Sequence, residues 1–399
     1  MDSLILIANP GSASRKYALY DNDSCLIKIH FEVIDSKIIY DVEQDSKATV
    51  SSPASLSHLA FAASKVASIL REYGLLKTTD QIKTIALRVV APSSYFQADR
   101  ILDNQAFDKL AKLEPRASLH INAGLQEAHM LKKSFPEASL LGVSDSSFHR
   151  TMPDHARNYA LPLDNADKLD IRRFGYHGLS VESVANILKS EGKLPLRLVV
   201  CHLGSGSSVT AVRSGKSIDT TMGYSPLEGL MMSTRSGSLD ITAAQALQAG
   251  LKLSDQDLQN YLNDKSGLLG VSNISSDIRI LLRLERQSNH HAKLALDMYV
   301  YRVAQAIGQM AAALGGIDAL VFTGTVGERS APIRRRITER LMFLGLMLDS
   351  KNNHELEESK KLTLISPTSH PVRIYVIHTD EYSAIAEHVR KFNRQNHSQ

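Results

Sequence analysis

The alternation of apolar and polar positions predicts strands and helices along the chain, and three segments share one pattern. In each of them an apolar run suited to a β-strand leads into a turn rich in glycine and serine. In the first two, an apolar run resumes directly after the turn, which predicts two β-hairpins about half a chain apart and therefore a duplicated domain. The third segment is followed by Ala331 and Pro332, and because proline is favoured in the first turn of a helix, a helix is predicted to begin there. The three turns are residues 9–14, 203–208 and 324–328.

Two longer segments have apolar residues at the spacing of a buried helix face. Between residues 59 and 73 this stripe is followed by Gly74, a residue type that often ends helices. Between residues 292 and 314 it is followed by Gly315 and Gly316, and the many alanines along it would allow close packing. We interpret both segments as core helices. Strands and helices in this order predict an α/β protein.

Composition narrows the class of protein. The length of 399 residues favours two domains, and 43% hydrophobic and 22% charged residues are typical of a globular protein. A net charge of +4 without long blocks of like charge predicts no nucleic-acid partner, and we expect the basic run at 334–336 to lie on a solvated helix face.

Cys25 and Cys201 have no paired spacing, which predicts neither a disulfide framework nor a zinc cluster. Without a signal sequence or a long apolar run, we expect a cytoplasmic protein with no membrane partner.

The motifs of several common enzyme classes are absent. The sequence contains no G-x-x-x-x-G-K-[ST] loop, no G-x-G-x-x-G that opens a helix after a strand, no G-x-S-x-G and no H-E-x-x-H. Gly/Ser turns remain, and their backbone N–H groups can form a nest for phosphate oxygens. Residues 219–237 are predicted to be neither helix nor strand, and such long irregular segments are often functional. Arg235, beside Thr234, Ser236 and Gly237, is a candidate for binding an anion.

These segments resemble the motifs of the acetate kinase family. The segment around Arg235 is similar to the signature of that family, and residues 173–178, R-F-G-Y-H-G, resemble its R-Y-G-F-H-G. Residues 145–153, D-S-S-F-H-R-T-M-P, resemble its D-T-A-F-H-Q-T-M-P. Further motifs follow in the family's order at residues 9–16, 202–206, 275–279, 321–328 and 379–381. On these motifs the chain is identified as a member of the family.

The resemblance implies a fold and an assembly. The family has a duplicated actin-like (ASKHA, ribonuclease H-like) α/β fold, with two domains and a nucleotide cleft between them. The N-terminal domain is then expected at residues 1–147 together with 383–399. The C-terminal domain is expected at residues 148–382, with most of the nucleotide site and the interface of a homodimer.

The resemblance also implies an activity, ATP + acetate ⇌ ADP + acetyl phosphate, by direct in-line transfer of the phosphoryl group. A carboxylate acceptor is already ionised at pH 7, so no general base is needed, and catalysis depends on positioning and on neutralising charge. The catalytic residues implied are Asp145, His177, Arg235 and Arg88. The two arginines offer planar forks to oxygen atoms, and His177 would donate to the phosphoryl oxygens. Asp145 would orient Arg235 or a metal-bound water.

Binding residues follow from the same motifs. For Mg²⁺, with Mn²⁺ as an alternative, they imply Glu381 as a ligand and Asn9 as an outer-shell helper. For the small acid they imply Arg88, Val90, Leu119, Tyr176 and Pro226. For ATP or ADP they imply Ser14, Lys16, His202, Leu203, Gly204, Ser205, Gly206, Asp277, Ile278, Arg279, Gly324, Thr325, Val326 and Gly327.

Several motif positions differ from the family pattern. Residues 91–93 are Ala-Pro-Ser where His-Gly-Gly is usual, and Ser205 stands where an asparagine usually contacts the nucleotide phosphates. Thr325 replaces a glycine and Ser238 replaces an acidic residue. Tyr176 stands where phenylalanine is common, and its hydroxyl could accept a more polar acid or simply bond to the backbone.

Three functions therefore stay open. The first is acetate kinase. The second is a kinase for another short-chain carboxylate such as propionate or butyrate, because a methyl-sized pocket separates such acids by only about 1–3 kcal/mol per methylene. The third is a nucleotide-binding protein with little turnover that acts as a regulator or partner. Six retained motif residues argue against the third: Asn9, Arg88, Asp145, His177, Arg235 and Glu381.

Overall fold

Two mixed β-sheets, one in each of two units of the chain, organise the structure, which is a computed structural model. It describes residues 4–11, 14–34, 37–44, 47–48, 52–54, 58–113, 118–357 and 360–397. The first unit is Met1–Ser147 together with Asp380–Gln399, and the second is Phe148–Thr379. Glu381 therefore belongs to the same unit as Arg88.

The strands are numbered along the chain. The first unit contains β1 (Leu4–Pro10), β2 (Ser14–Asp21), β3 (Ser24–Ile34), β4 (Lys37–Gln44), β5 (Lys47–Ala48), β6 (Ser52–Pro53), β7 (Ile82–Val89), β8 (Arg100–Ile101) and β9 (Ser139–Ser144). The second unit contains β10 (Arg197–Leu203), β11 (Ser207–Arg213), β12 (Lys216–Thr220), β13 (Ala319–Thr323), β14 (Leu362–Leu364) and β15 (Arg373–Ile377).

The helices are numbered in the same way. They are α1 (Ala62–Glu72), α2 (Asn104–Leu113), α3 (Ser118–Ser134), α4 (Asp154–Arg157), α5 (Leu163–Lys168), α6 (Gly178–Ser190), α7 (Ile241–Leu251), α8 (Asp255–Asp264), α9 (Gly267–Ser272), α10 (Ile278–Arg286), α11 (His290–Leu314), α12 (Gly324–Arg329), α13 (Ala331–Glu339), α14 (Ser350–His354) and α15 (Glu381–His397). Among the described residues, no helix combines the length and apolar character needed to cross a membrane.

The two sheets repeat one topology. In the first, the order is β5-β4-β3-β2-β1-β7-β9-β8, with β6 beside β4, and in the second it is β12-β11-β10-β13-β15-β14. In each, a three-stranded antiparallel meander is extended by two parallel strands: β3-β2-β1-β7-β9 corresponds to β12-β11-β10-β13-β15. Both predicted hairpins are confirmed as β1–β2 and β10–β11. The predicted duplicated α/β architecture is confirmed with them.

The predicted core helices are confirmed as α1 and α11. Gly74, Gly315 and Gly316 have positive φ angles, as expected where a helix ends in the left-handed region. In the first unit, α1 and α3 cover one face of the sheet, and α15 packs against β1, β7 and β9. In the second unit, alternate residues of β10 join different cores, because successive side chains of a strand point to opposite faces. One of these cores is built around α11 and the other around α6.

The basic run at 334–336 differs from expectation, because Arg334 is only 1% exposed. Its guanidinium donates to the carbonyl oxygens of Gly327 (2.9 Å) and Glu328 (2.8 Å) at the end of α12. It also donates to the side-chain and backbone oxygens of Asn353 at 2.8 and 2.6 Å. The prediction of a solvated face was wrong for this residue, since the unpaired carbonyls at a helix end require donors and Arg334 supplies them.

The Arg334→Met substitution should lower the free energy of unfolding by about 2–4 kcal/mol, because it leaves several buried acceptors without a donor. Chemical denaturation monitored by circular dichroism measures this change. Arg335→Met is the matched control, since Arg335 lies on the same helix with a side chain 56% exposed. Its effect should stay within about 0.5 kcal/mol. Equal effects of the two substitutions would contradict the assignment.

Candidate active site

In the first unit, four polar residues meet where parallel strands end. Asn9 is near the end of β1, Arg88 near the end of β7, and Asp145 directly follows β9. The carboxyl ends of adjacent parallel strands lie at one sheet edge, which is where ligands bind in many α/β proteins. Glu381, the first residue of α15, completes the group. We call these four residues the arginine cluster.

Arg88 is the centre of the arginine cluster. Its guanidinium donates to Asp145 Oδ2 at 2.9 Å, to Asn9 Oδ1 at 3.2 Å and to Glu381 Oε2 at 3.3 Å. Asn9 Nδ2 also donates to Glu381 Oε2 at 2.9 Å. Burial by itself lowers the pKa of Arg88, but the carboxylates of Asp145 and Glu381 outweigh that effect and raise the pKa. Arg88 is therefore a permanent cation held in a fixed orientation, and Asp145 orients it.

In the second unit, His177, Gly206 and Arg235 lie together. His177 precedes α6 with a φ angle of 59°, and its Nδ1 shares a 3.0 Å hydrogen bond with Ser208 Oγ. Its ring lies against that of His202, with centroids 4.2 Å apart and the ring planes tilted by 32°. A Cβ atom at Gly206 would lie 3.1 Å from His177 Nε2 and 3.5 Å from an Arg235 nitrogen. The absence of a side chain at Gly206 thus leaves both groups accessible from the turn.

Arg235 belongs to an irregular segment, as predicted. No helix or strand is assigned between Thr220 and Ile241, all of which is described. The Arg235 guanidinium donates to the Pro226 carbonyl oxygen at 3.3 Å, and Ser233 N donates to the Ser205 carbonyl oxygen at 3.2 Å. The segment is thereby tied to the β10–β11 turn. Burial lowers the pKa of Arg235, although the charge of Asp264 opposes this.

A cavity of about 600 Å³ lies beside this turn, within the size range of small-molecule sites. It brings together three segments that the sequence motifs assigned to ATP, at residues 204–205, 277–279 and 325–326. Ser276, from the motif at 275–279, also lines the cavity although it was not among the residues implied for ATP. Sequence reasoning missed the other lining residues, which are Ser233, Leu282, Arg286, Arg329, Ser330 and Pro332. Helical spacing could have found Leu282 and Arg286, since they follow Ile278 at intervals of four residues.

Other predicted site residues are not among those that line this cavity. Ser14 and Lys16 are on β2 of the first unit, where Lys16 is exposed and pairs in register with Asn9. Val90 is the residue after β7 and is partly buried. Leu119 falls in α3, but its side chain lies outside the described residues. His202 and Leu203 end β10, Gly206 lies in the β10–β11 turn, and none of them lines the cavity. Gly324 and Gly327 do not line it either, and they belong to α12, which forms where a turn was predicted.

Tyr176 and Pro226, both predicted for the acid, are buried in the second unit. The Tyr176 hydroxyl donates to the carbonyl oxygen of Tyr224 at 2.7 Å. Of the two interpretations of this hydroxyl, the structure favours the bond to the backbone. A donor that is already used in this way gives no reason to expect a more polar acid.

Known proteins are similar to this chain along almost its whole length. The model of the Acetokinase family matches residues 4–387. The chain belongs to the acetokinase family. It is 35% identical over 393 residues to an acetate kinase of Lachnoclostridium phytofermentans, and the match covers 96% of this chain and 98% of that relative. Membership of the family and the repeated sheet topology confirm the predicted duplicated actin-like fold.

Solved structures of this family are similar along almost the whole chain. The crystal structure of Porphyromonas gingivalis acetate kinase is 32% identical with a TM-score of 0.82, and the match covers 96% of this chain and 98% of that one. A propionate kinase from Francisella tularensis subsp. tularensis SCHU S4 is also 32% identical, with a TM-score of 0.86 and coverage of 97% and 98%. Structural similarity thus includes kinases named for two different short acids.

Gly324→Ala should weaken ATP binding and lower the free energy of unfolding by about 1–3 kcal/mol, because Gly324 has a left-handed φ angle. That φ is +75°, and an added Cβ would lie 2.7 Å from the Leu203 carbonyl oxygen. Calorimetric titration with ATP and denaturant unfolding measure the two effects. Gly308→Ala is the control, since a Cβ there meets nothing within 4 Å. A Gly324→Ala protein that matches wild type in both measurements would refute the close approach.

Proposed function

We propose that this chain is an acetate kinase that transfers a phosphoryl group between ATP and acetate. The observation that carries the proposal is the arginine cluster, in a chain that matches the Acetokinase family over residues 4–387. A permanently charged guanidinium at a sheet edge, with its side chain 15% exposed, suits the recognition of a carboxylate or a phosphoryl group. No hydroxyl nucleophile needs activation, because the acceptor carboxylate is ionised at neutral pH.

In this proposal Arg88 orients the acceptor carboxylate and neutralises charge. Its pKa is raised, so it supplies a positive charge at every working pH. Asp145, only 1% exposed, fixes one arm of the guanidinium. Fixed orientation matters, since a charge that is already in position has no reorganisation cost in the transition state.

Arg235 and His177 are proposed to stabilise the phosphoryl group from the second unit. We assign the Ser208 hydroxyl as donor to His177 Nδ1, so that the imidazole carries its proton on Nε2, the atom that faces Gly206. Nε2 can then donate a hydrogen bond to an anionic oxygen. The N-terminus of α6 adjoins His177 and adds the positive end of a helix dipole.

The donor set of the arginine cluster also fits a divalent cation. Glu381 and Asn9 present a carboxylate and an amide oxygen, and Asp145 adds a second carboxylate on the same guanidinium. Hard oxygen donors of this kind suit Mg²⁺, and Mn²⁺ as an alternative. We propose Glu381 as the ligand and Asn9 as its outer-shell helper. When bound, the ion would offset the negative charge of the ATP phosphates.

The cavity of the second unit is proposed to hold the nucleotide. Gly204 and Ser205 would contact phosphates through the backbone, and Asp277 with its neighbours would lie on the adenosine side. The homodimer and the cytoplasmic location that the resemblance implies belong to this proposal as well. Light scattering on the purified protein tests the homodimer.

An acid panel tests the proposal. Purified protein with ATP, Mg²⁺ and acetate in hydroxylamine should form acetyl hydroxamate, because hydroxylamine traps an acyl phosphate. Formation with propionate or butyrate but not with acetate would favour a kinase for another short acid. ATP binding without product from any acid would favour a nucleotide-binding protein with little turnover. Omission of the divalent cation should abolish the signal.

Arg235→Ala should lower kcat by at least about a hundredfold, as expected when one electrostatic stabiliser of a transition state is lost. The hydroxamate assay at saturating ATP and acetate measures this change. Arg335→Ala, at an exposed arginine far along the same unit, is the control and should retain wild-type kcat. A kcat of Arg235→Ala within threefold of wild type would remove Arg235 from the mechanism.

A further inference from the structure

A half-buried carboxylate in the second unit has hydrogen bonds to both of its oxygens and no part in the proposed reaction. Glu228 lies in the irregular segment between β12 and α7, and its side chain is 26% exposed. Arg173 Nη1 donates to Glu228 Oε1 at 2.9 Å, and the Tyr159 hydroxyl donates to Glu228 Oε2. Hydrogen bonds to an ionised acceptor are among the strongest in proteins. Glu228 is therefore an anchor for the irregular segment.

Arg173 ties this anchor to the sheet of the second unit. Its second terminal nitrogen donates to the carbonyl oxygen of Thr220, the last residue of β12, and lies 3.8 Å from Asp219 Oδ1. The backbone N of Arg173 donates to the carbonyl oxygen of Arg157, at the end of α4, at 2.7 Å. One guanidinium therefore holds Glu228 against the end of a strand.

The same carboxylate closes a turn at residues 224–228. Tyr224 N donates to the Tyr159 hydroxyl at 2.8 Å and to Glu228 Oε2 at 3.3 Å, so the two ends of the turn meet at one point. A Cβ atom at Gly223 would overlap the Glu228 carboxylate and the Tyr159 hydroxyl, and glycine leaves room for this arrangement. The turn is thus fixed by side chains from inside and outside the segment.

Pro226, in the middle of this turn, contacts Arg235. Arg235 Nη1 donates to the Pro226 carbonyl oxygen at 3.3 Å. The same nitrogen would lie 3.5 Å from a Cβ atom at Gly206, and that Cβ would lie 3.1 Å from His177 Nε2. The position of the Pro226 carbonyl therefore affects where the charge of Arg235 lies relative to His177.

We propose that Glu228 and Arg173 are positioning residues that orient Arg235 through the turn at 224–228. Both act through the turn, without contact to substrate. The inference rests on the proposed function, because Arg235 is assigned there as a stabiliser of the phosphoryl group. A charge that is already in position has no reorganisation cost in the transition state, so the pair should affect kcat. It should not affect ATP binding, since neither residue is among those that line the cavity.

A double-mutant cycle with Arg235→Ala tests the inference in the hydroxamate assay. Glu228→Ala should lower kcat about tenfold, because even a small misplacement of a reacting or stabilising group is costly. In the Arg235→Ala background the same substitution should change kcat by less than about twofold, since no guanidinium remains to be oriented. A purely structural contact would lower kcat by the same factor in both backgrounds. The KM for ATP should stay within about twofold of wild type.

Conservative variants provide a second readout. Glu228→Gln should retain more kcat than Glu228→Ala, because the amide oxygen can still accept from one of the two donors. Arg173→Lys should fall between wild type and Arg173→Met, since an ammonium keeps the charge but has no planar fork. Conservative variants that are no better than the truncated ones would contradict the positioning role.

Arg172→Met is the matched control for Arg173→Met. Arg172 is the preceding residue, and its side chain is 17% exposed against 19% for Arg173. Arg172 pairs with Asp167 and Asp170, which lie outside the irregular segment. Arg172→Met should keep wild-type kcat, whereas Arg173→Met should lose about tenfold, as Glu228→Ala does.

Calorimetric titration with MgATP shows whether a variant keeps its second unit folded, because the cavity proposed for ATP lies in that unit. If Glu228→Ala does not bind MgATP, the cycle is repeated with Glu228→Gln, which keeps the size of the side chain. The proposal is overturned if the cycle is additive, or if Glu228→Ala retains wild-type kcat. It is also overturned if Arg172→Met and Arg173→Met lower kcat equally.

Failure of the proposed function has a different result. If the wild-type protein forms no acyl hydroxamate with any acid, the rate at which phenylglyoxal modifies Arg235, followed by peptide mass mapping, replaces kcat. Arg235 should react faster in Glu228→Ala, because its contact with the Pro226 carbonyl is loosened, while the exposed Arg335 should react at an unchanged rate. An unchanged rate at Arg235 would overturn the function and the inference together. An active wild type with an additive cycle overturns the inference alone.

Discussion

Arg88 carries a positive charge that is largely removed from solvent, so negatively charged groups must lie beside it. Its two carboxylates come from the residue after β9 and from the first residue of α15, and its amide partner comes from β1. The strand order β1-β7-β9 therefore matters for the charge of Arg88, because it places Asn9 and Asp145 on either side of that residue. Loss of one partner would leave the remaining charges uncompensated, which is a severe penalty for a buried ion pair. The return of α15 to the first unit is needed for the same reason.

The two halves of the duplicated fold use equivalent sheet edges for different chemistry. In the first unit, the ends of β1, β7 and β9 carry charged and amide side chains. In the second, β10 leads into a turn with glycine and β13 leads directly into α12, which begins with Gly324, so that backbone groups rather than charged side chains lie at this edge. Side-chain charge suits the recognition of a small anion, and exposed N–H groups suit a chain of phosphates. In the proposed mechanism, one topology thus provides two complementary kinds of anion site.

Much of the fold could be predicted from the sequence, because hairpins and amphipathic helices are determined by residues close together in the chain. The β10–β11 turn and the helix that ends at Gly315 are examples. Motif order also indicated the segments that line the cavity of the second unit. Arg334 shows why the rest escaped prediction. Its charge suggests exposure, but the end of α12 needs donors, and that need exists only after the chain has folded. Likewise, Tyr17 and Glu127 are 110 positions apart, and no local pattern indicates their pairing.

The position of Glu381 also affects how the protein is made. Arg88 and Glu381 are 293 positions apart, and the whole second unit lies between them in the chain. Because translation is vectorial, the sheet of the first unit leaves the ribosome long before α15 does. During that interval Arg88 has Asp145 but lacks its second carboxylate. The arginine cluster can therefore be completed only after the whole second unit and the start of α15 have been synthesised.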